Sequence, residues 1–251
     1  MIFLRIFLIL ISFSISAREV GQTEITTSGG IEVFKLDKYY LLKEDVKIVS
    51  DNFKLDADLV KAFFSEDLYD IIKIDSSGNV IFETNRGLKG KGDIVKIDIK
   101  SENIFIKGEN SSLINQNILM NSDEAIEVNN LSGKFKLKGL NSRLTSEDID
   151  ISGFIIEGIF ENIDGINEVQ EMYVEDSSQV NIKTETLNMF SLEAKYNKKQ
   201  NIIELFENVK IIRDNEFVEG NYAKINTVNE SYKVTSNNKE KVKILLNEST
   251  E

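Results

Sequence analysis

Histidine, cysteine, tryptophan and proline are all absent from the 251 residues of this chain. Without histidine or cysteine there is no Ser-His or Cys-His nucleophile, no imidazole general base and no zinc site built from nitrogen and sulfur ligands. Any chemistry would have to rest on carboxylate, lysine, tyrosine or serine side chains. We therefore expect no catalytic site, no cofactor and no metal. The lack of cysteine does not identify a redox compartment, because disulfides are common but not obligatory in exported proteins.

Positively charged residues are fewer than negatively charged ones. The chain has 30 lysine and arginine residues against 42 aspartate and glutamate residues, for a net charge of −12. Non-specific binding to nucleic acid needs a basic surface that displaces counterions from the phosphates, so we expect no nucleic-acid partner. Hydrophobic residues make up 41% and charged residues 29% of the chain, which is ordinary for a folded protein with a sizeable core.

The longest apolar stretch is at the N-terminus, which reads MIFLRIFLILISFSISA. One early positive charge at Arg5, an apolar run at 6–15 and small residues ending at Ala17 are the three parts of a secretory signal peptide. The apolar run has about half of the roughly 20 residues that a membrane-spanning helix needs. We expect residues 1–17 to be cleaved and residues 18–251 to form a single elongated domain in the periplasm. An uncleaved N-terminal anchor is the alternative.

Apolar and polar residues alternate along most of the chain, as in VKIVSDNFKLDADL at 46–59 and VKIDIKSENIFIKG at 95–108. A strand with this alternation buries one face and exposes the other. Groups of Ser, Asp, Asn and Gly between the runs predict turns. These groups lie at 50–52, 76–79, 110–112, 129–130 and 237–238. Short strands at regular spacing predict an all-β fold.

One phrase occurs twice without a gap, as EDVKIVSDNFKLDADLVK at 44–61 and as ENVKIIRDNEFVEGNYAK at 207–224. A third copy has its two parts at 79–82 and 92–96. The first part reads Asp/Asn-Val-x-apolar, and the second reads small-Asp/Asn-x-Val/Ala-Lys. We interpret the unit as strand, turn, strand, turn, strand, with the Asp-Asn and Ala/Gly positions in the turns. Such a unit cannot bury its apolar face alone, so the copies must stack or pair with other strands.

Two segments fit this pattern less well. The segment ADLVKAFFSEDLYDII at 57–72 also places Leu59, Val60 and Phe63 on one helical face. We interpret it as strand, because Lys61 belongs to the repeated phrase. Residues 115–180 keep the alternation but lack the phrase.

The strand opened by GNV or ENV and followed by GNYAKINTVNESYKV at 220–234 resembles the OstA-like domain. That domain forms the LptA family of periplasmic lipopolysaccharide-transport bridge proteins and the N-terminal part of the outer-membrane translocon. The stretch TSGGIEVFKLDKYYLLKEDVKIVSDNFKLDADLVKAFF at 27–64 is similar to the same domain. The resemblance covers 28–108 and 188–245 by these motifs and 115–180 by strand pattern alone.

The resemblance implies an open, twisted antiparallel β-jellyroll whose two sheets splay apart into a groove. The groove takes the lipid A acyl chains of lipopolysaccharide, while the sugars stay in water. The resemblance further implies a protein that is not an enzyme and whose copies join head to tail through edge strands. The implied partners are lipopolysaccharide, an inner-membrane export complex that hydrolyses ATP, and the OstA-like domain of the outer-membrane translocon.

The alternation assigns one set of apolar residues to the interior, and these are our candidates for lining a lipid groove. They are Val46, Ile48, Phe53, Leu55, Val80, Phe82, Val95, Ile97, Ile104, Ile106, Val209, Ile211, Val218, Ile225, Tyr232 and Val234. For each of them a plain core position is the alternative. A lysine also recurs at the end of each copy of the phrase, at Lys61, Lys96 and Lys224. These lysines are candidates for contact with a lipid phosphate at the groove rim, or outward lysines that protect sheet edges.

Carboxylates cluster at 123–127, at 147–150 and at Asp56 and Asp58. A calcium site or a glycosidase acid/base pair would use such groups, but the fixed spacing of a calcium loop is not present. The alternation places Asp56 and Asp58 on the face opposite Leu55 and Leu59. We therefore interpret the clusters as solvated surface that keeps a protein with an apolar groove soluble.

The best interpretation is a bridge or shuttle for lipopolysaccharide. A membrane-anchored groove component of the same export system is an alternative if the N-terminal segment is retained. A secreted structural β-solenoid is a second alternative, although a solenoid would repeat throughout the chain. An enzyme that works with carboxylates is disfavoured because the sequence contains no motif for one.

Overall fold

The computed structural model describes residues 21–68, 70–214, 216–237 and 241–246. Within these residues the chain forms twenty β-strands and no helix, and the strands pair in antiparallel fashion. The predicted all-β antiparallel fold is confirmed, and so is the interpretation of 57–64 as strand. In this part of the chain no helix is long and apolar enough to cross a membrane. The predicted signal peptide at 1–17 lies outside the described residues.

The strands follow one another along the chain with short connections. The first ten are β1 (Glu24–Thr26), β2 (Ile31–Phe34), β3 (Tyr39–Val49), β4 (Phe53–Phe64), β5 (Ile71–Thr84), β6 (Leu88–Asp98), β7 (Asn103–Lys107), β8 (Ser111–Asn115), β9 (Ile118–Ser122) and β10 (Ala125–Asn129). The second ten are β11 (Lys134–Lys138), β12 (Arg143–Thr145), β13 (Asp150–Ser152), β14 (Ile155–Ile163), β15 (Ile166–Lys183), β16 (Asn188–Asn197), β17 (Ile202–Arg213), β18 (Glu216–Asn226), β19 (Tyr232–Thr235) and β20 (Lys243–Leu246).

Long strands cross the whole molecule and change register midway. The first part of β3 pairs with β2 through 39–42, and its last part pairs with β1 through 47–49. Each of the strands β3, β4, β5, β15, β16 and β17 has a register shift in its middle part. The sheet is therefore folded lengthwise along a line of bulges, which we call the corner.

The corner divides the strands into two ladders that face each other across a shared interior. Sheet I consists of β2, 39–43, 59–64, 71–77, 94–98, β7, β10, β11, β14, 166–175, 193–197, 202–206, 222–226 and β19. Sheet II consists of β1, 46–49, 53–57, 80–84, 88–92, β8, β9, β12, β13, 180–183, 188–191, 209–212, 216–220 and β20.

The repeated phrase builds the corner. Between the paired positions 43↔59 and 46↔57, β3 has two residues, Glu44 and Asp45, where β4 has only Asp58. The other two copies place Gly78 and Asn79 against Asp93, and Glu207 and Asn208 against Asn221. All six of the doubled residues have positive φ, a conformation that Gly, Asn and Asp adopt more readily than most residues. Because a two-against-one bulge bends a strand, each copy folds the sheet.

The small residue of the phrase lies inside this bend. Ala57, Gly92 and Gly220 pair across the corner with Val46, Val80 and Val209. A Cβ atom added at Gly92 would lie 2.5 Å from Cγ2 of Ile106, and one at Gly220 would lie 2.4 Å from Cγ1 of Val234. The two glycine positions therefore have no space for a side chain.

The prediction of turns is correct at the strand ends and wrong at the corner. Residues 50–52 reverse the chain between β3 and β4, as predicted. Residues 76–79 lie inside β5. Of the predicted turn at 110–112, residues 111–112 already belong to β8, and the chain bends at 108–110 between β7 and β8, which both pair with β6. The Ala/Gly positions of the phrase also lie within strands. A corner bulge and a reverse turn both favour Gly, Asn and Asp, so composition does not distinguish them.

The bulge also corrects one predicted face. Leu59 was expected on the same face as Leu55, because both are in one alternating run. Leu55 is 1% exposed, whereas Leu59 is 40% exposed and the next residue, Val60, is fully buried. Asp58, the single residue of β4 opposite Glu44 and Asp45, shifts the alternation by one position, and this turns every later side chain of β4 to the other face.

Residues 115–180 continue both sheets without the phrase. The strands β9 to β14 pair with one another and with their neighbours in the same order as elsewhere. The chain bends at Gly108, between β7 and β8, and at Gly139, between β11 and β12; their φ angles are 141° and 145°. One hydrophobic cluster runs through the whole described chain, from Leu42 to Ile225. The largest fully buried side chains include Phe82, Leu113, Met120, Leu137, Leu144 and Ile156.

Candidate functional site

The predicted inward residues all face the interior between the sheets. Most of them are buried, with exposed fractions of 6% or less. Phe53, Ile97, Tyr232 and Val234 are partly buried and pack against the same cluster. Their alternation with outward polar residues follows from the strand period. The interior is thus a continuous apolar layer, and its role in binding lipid stays a prediction.

The opening of this interior lies opposite the corner, where two rows of turns approach each other. Lip I denotes the turns that end sheet I, and lip II denotes the turns that end sheet II. Lip I comprises 35–38, 65–68, 99–102, 130–133, 164–165, 198–201 and 227–231, and lip II comprises 50–52, 85–87, 116–117, 146–149, 184–187 and 214. The space between the lips is the mouth of the fold.

A group of side-chain amides joins the two lips at the middle of the mouth. Asn115, at the end of β8, accepts a hydrogen bond from Nδ2 of Asn167 at 2.9 Å and donates one to Oδ1 of Asn130 at 3.3 Å. The backbone N–H of Asn167 donates to Oε1 of Gln116 at 2.8 Å. Asn115 and Asn167 are only 5% and 6% exposed. Because buried polar groups are costly unless paired, these bonds hold the lips together; we call them the amide tie.

Charged side chains join the lips nearer the C-terminus. The Nζ atom of Lys198 on lip I lies 3.5 Å from Oδ2 of Asp148 on lip II and 3.0 Å from Oε2 of Glu168. Burial acts to lower the pKa of Lys198, but the hydrogen bond and negative charge of Glu168 outweigh it and raise that pKa. Lys198 therefore stays charged at neutral pH, and it bridges the mouth.

A second charged contact closes the C-terminal end of the mouth. Nη2 of Arg213, at the end of β17, donates to the backbone carbonyl of Glu230 at 2.5 Å. The guanidinium carbon of Arg213 lies 5.4 Å from the ring centroid of Tyr232. Burial, followed by interaction with Glu216, raises the pKa of Tyr232 to about 12. This tyrosine is neutral at physiological pH and presents an uncharged ring to the interior.

A cavity of about 640 Å³ lies between these charged contacts. The apolar part of its lining is Ile149, Leu187, Tyr196, Ile203, Ile225 and Val228, and the polar part includes Glu147, Asp148, Lys183, Thr184, Lys198, Thr227 and Glu230. The volume is in the range of small-molecule sites. An apolar floor under a polar rim suits an amphipathic molecule, whose hydrocarbon part would enter the interior.

The three predicted phosphate-binding lysines lie elsewhere. Lys61, Lys96 and Lys224 are on the outer face of sheet I, within strands, and not on either lip. The Nζ atom of Lys61 lies 3.8 Å from the ring centroid of Tyr39. Lys224 lies opposite Glu204 in the register of β17 and β18. A phosphate bound to these lysines would therefore lie outside the interior. Their contact with phosphate stays a prediction.

The carboxylate clusters have structural partners. Asp150 accepts hydrogen bonds from Arg143, and Asp123 accepts two from Asn141 at the corner. Asp148 belongs to the contact with Lys198. Among the described residues, no group of three or more Asp and Glu side chains is arranged to hold a metal ion. Each of the two clusters thus has at least one aspartate with a structural partner.

Sequence reasoning missed the amide and lysine side chains that join the two lips. Asn115 and Asn167 are separated by 52 positions, and no local pattern connects them. The one usable signal was polar residues at inward positions, since Asn115 follows Ser111 and Leu113 in a strand whose alternate residues are buried. Lys198 is in a turn rich in polar residues and is not distinguished by composition.

The comparisons with known proteins give little further information. No protein-family model and no curated protein sequence matches the chain. Solved structures that match include LptH from Pseudomonas aeruginosa, described as the LptA homologous periplasmic component of the conserved lipopolysaccharide transport device. The chain is 12% identical to it, with a TM-score of 0.44, over 52% of this chain and 95% of that one. A similarity of this size does not assign a function.

Proposed function

We propose that the chain is a non-enzymatic carrier of lipopolysaccharide in the periplasm, with the acyl chains held between the two sheets. The observation that carries this proposal is the mouth cavity, with Ile203 and Ile225 on its floor and Lys198 on its rim. The floor belongs to an apolar interior that runs through the described chain. The resemblance of the repeated phrase to the OstA-like domain supports the same function.

The energetics favour an apolar carrier of this kind. Each methylene that is transferred out of water contributes roughly 0.8 kcal/mol, so a lipid with several acyl chains does not cross an aqueous compartment unaided at a useful rate. The interior residues are packed against each other. Binding therefore requires the two sheets to separate at the mouth, where polar contacts hold them, while the corner acts as the hinge.

The strand edges at the two ends of the sheets are the places where partners of this carrier would bind. In the described chain, β2 and β1 lie at one end of the sheets and β19 and β20 at the other. Unpaired strand edges accept a strand from a neighbour. We propose that these edges join the OstA-like domains of an inner-membrane export complex and an outer-membrane translocon, or further copies of the chain. Retention of the N-terminal segment would make it a membrane-anchored component instead.

The competing interpretation is a structural role as a β-solenoid. The antiparallel pairing of consecutive strands, such as β16 with β17, differs from the parallel stacking expected of most solenoids. The folded sheet also provides an interior with an opening, which a purely structural rod does not need. We therefore favour the carrier.

Site-specific photo-crosslinking tests the proposal. A photoreactive amino acid is placed at Val228, which is 73% exposed on lip I and lines the cavity, or at Leu140, which is 80% exposed at the corner. The protein is produced in the periplasm of a lipopolysaccharide-producing host and irradiated. We expect lipopolysaccharide adducts at Val228 and few at Leu140, and native mass spectrometry of the unmodified chain should find the same lipid. Equal labelling at both positions, or no co-purifying lipid, would contradict the proposal.

A further inference from the structure

A cavity of about 460 Å³ lies on the outer face of sheet I, beside lip I. It spans the lip-side ends of four adjacent strands, β6, β7, β10 and β11. The turns 99–102 and 130–133 of lip I separate it from the mouth. Its polar side chains alternate along the strands with fully buried ones such as Val95 and Ile106, so they point away from the interior. This outer cavity is therefore distinct from the mouth cavity.

Lysines dominate the walls of the outer cavity. Its charged side chains are Lys73, Lys96, Lys134 and Lys136 against Asp98 and Glu127. This local excess of positive charge is contrary to the composition of the chain, whose net charge is −12. Like charges that are held close together repel each other unless an anion lies between them. The outer cavity therefore favours a negatively charged ligand.

Two of these four lysines have no charged partner. Lys73 and Lys136 each form an ion pair with a carboxylate outside the outer cavity, at 3.2 Å and 3.1 Å. Within the described chain, Lys96 and Lys134 form no ion pair. Partly exposed ion pairs contribute little to stability, so an anion with more charge can replace the two that exist. All four ammonium groups are thus accessible to a ligand.

Hydrogen bonds within lip I shape the wall of the outer cavity that is nearest to the mouth. Nδ2 of Asn129 donates to Oδ1 of Asn103 at 2.7 Å and to the backbone carbonyl of Ser101 at 3.1 Å. Oδ1 of Asn129 accepts a bond from the backbone N–H of Ser132, and Oδ1 of Asp98 accepts one from that of Ser101. Because these groups are paired with each other, they fix the shape of the wall and leave the recognition of an anion to the lysines.

The floor of the outer cavity is an aromatic ring. Phe105 lies between Lys96 on β6 and Glu127 on β10 in the register of the sheet, and it is half-buried. A phenyl ring is a poor neighbour for a small hydrated ion, because it has no hydrogen-bonding group, but it provides an apolar surface for the C–H face of a sugar ring. An uncharged sugar, in turn, would not need four lysines. The two features together fit a sugar that carries phosphate.

We propose that the outer cavity binds a phosphorylated sugar, with the sugar ring on Phe105 and the phosphate at Lys96 and Lys134. A phosphate monoester has a charge of about −1.5 to −2 at neutral pH, and lysine ammonium groups bind phosphate as point charges. The ligand can come from two sources. One is a free sugar phosphate, and the other is the saccharide part of a lipopolysaccharide whose acyl chains lie in the mouth, on the other side of lip I. Only the second source rests on the proposed carrier function.

Titration of the full chain with glucose-6-phosphate, followed through backbone amide NMR signals, tests the site. We expect shifts at Lys96, Phe105 and Lys134, and none when glucose is added instead. The double variant Lys96→Ser/Lys134→Ser should raise the dissociation constant about tenfold, because two partly exposed charge pairs are removed. Lys224→Ser is the matched control, since Lys224 is on the same face but outside the outer cavity, and it should bind normally. The same spectra show that each variant is folded.

The variant Phe105→Ala distinguishes a sugar phosphate from a phosphate ion. It should weaken the binding of glucose-6-phosphate and leave the binding of inorganic phosphate unchanged. If the unmodified chain binds the two probes equally well, the cavity does not recognise the sugar and the proposal is wrong. An equal loss of binding in Lys224→Ser would also overturn it, because the attraction would then be a general property of the face.

Crosslinking identifies the source of the ligand. A photoreactive amino acid is placed at Glu127, which is exposed and lines the outer cavity, under the conditions used for Val228. Lipopolysaccharide adducts at both positions would assign the phosphate to the lipid in the mouth. Binding of glucose-6-phosphate without adducts at Glu127 would assign it to a free sugar phosphate. Absence of sugar-phosphate binding with intact crosslinking at Val228 would overturn this site and leave the carrier function standing.

Discussion

At the scale of single residues, the corner decides which side chains are buried. Leu55 and Leu59 are the same residue type in the same strand, but Leu55 is 1% exposed and Leu59 is 40% exposed. The bulge at Asp58 separates them. An alternating pattern continued through this point assigns Leu59 to the interior, which the structure contradicts.

Alanine substitution at these two leucines measures the effect of the bulge. We expect Leu55→Ala to lower the free energy of unfolding by about 2–5 kcal/mol, because it leaves a cavity in the core. Leu59→Ala should change it by less than about 0.5 kcal/mol, because surface substitutions are usually of that size. Urea titration followed by circular dichroism gives both values. Equal losses at the two positions would mean that the alternation continues without a shift.

The sequence predicts the faces of residues that lie in the same half of a strand, on one side of the corner. Val46, Ile48, Val209 and Ile211 are buried as the alternation requires. The prediction fails across the corner in β4 because the single corner residue Asp58 shifts the alternation by one position. An Asp or Asn that makes a bulge has the same composition signal as one that makes a turn. Only strand pairing, which joins distant parts of the chain, separates the two cases.

At the scale of elements, hydrogen bonds from side chains stabilise the corner. In β15 the carboxylate of Asp176 accepts bonds from the backbone N–H of Ser178 and Gln179, and from the Ser178 hydroxyl. Register between β15 and β16 shifts at this point. Burial acts to raise the pKa of Asp176, but these bonds outweigh it and lower that pKa below its ordinary value of 3.8.

The contribution of Asp176 should therefore depend on pH. A carboxylate whose folded pKa is lowered contributes stability above its unfolded pKa and loses it as the pH falls through its folded pKa. We expect Asp176→Ala to lower the free energy of unfolding by about 1 kcal/mol at pH 7, and the deficit to shrink as the pH falls below 3.8. Urea titrations of both proteins across this range give the deficit.

Asp176→Asn is the matched control for that experiment. Its amide oxygen still accepts a hydrogen bond from the backbone N–H of Ser178, but it has no charge to titrate. Its deficit should be smaller than that of the alanine variant and independent of pH. A deficit of the alanine variant that stays constant between pH 7 and pH 3 would show that the carboxylate charge does not stabilise the corner.

At the scale of the whole molecule, the polar contacts across the mouth keep it closed, whereas entry of lipid into the apolar interior would need it open. The amide tie and the contacts of Lys198 and Arg213 hold the lips together. A lipid between the sheets has to displace packed side chains, and close-packed interiors have little spare volume. The proposed binding of lipid between the sheets therefore requires the mouth to widen, and the corner, with its residues of positive φ, is where the sheet bends.

Spin labels across the mouth measure this widening, and the lack of native cysteine allows clean labelling. Glu147 on lip II and Val228 on lip I are both exposed and both line the cavity. We expect the distance between labels at Glu147→Cys and Val228→Cys to increase when lipopolysaccharide is added. Labels at Lys199→Cys and Val228→Cys, both on lip I, should keep their distance, because sheet I moves as one unit. If the cross-mouth distance does not change while lipid is bound, the acyl chains lie outside the interior.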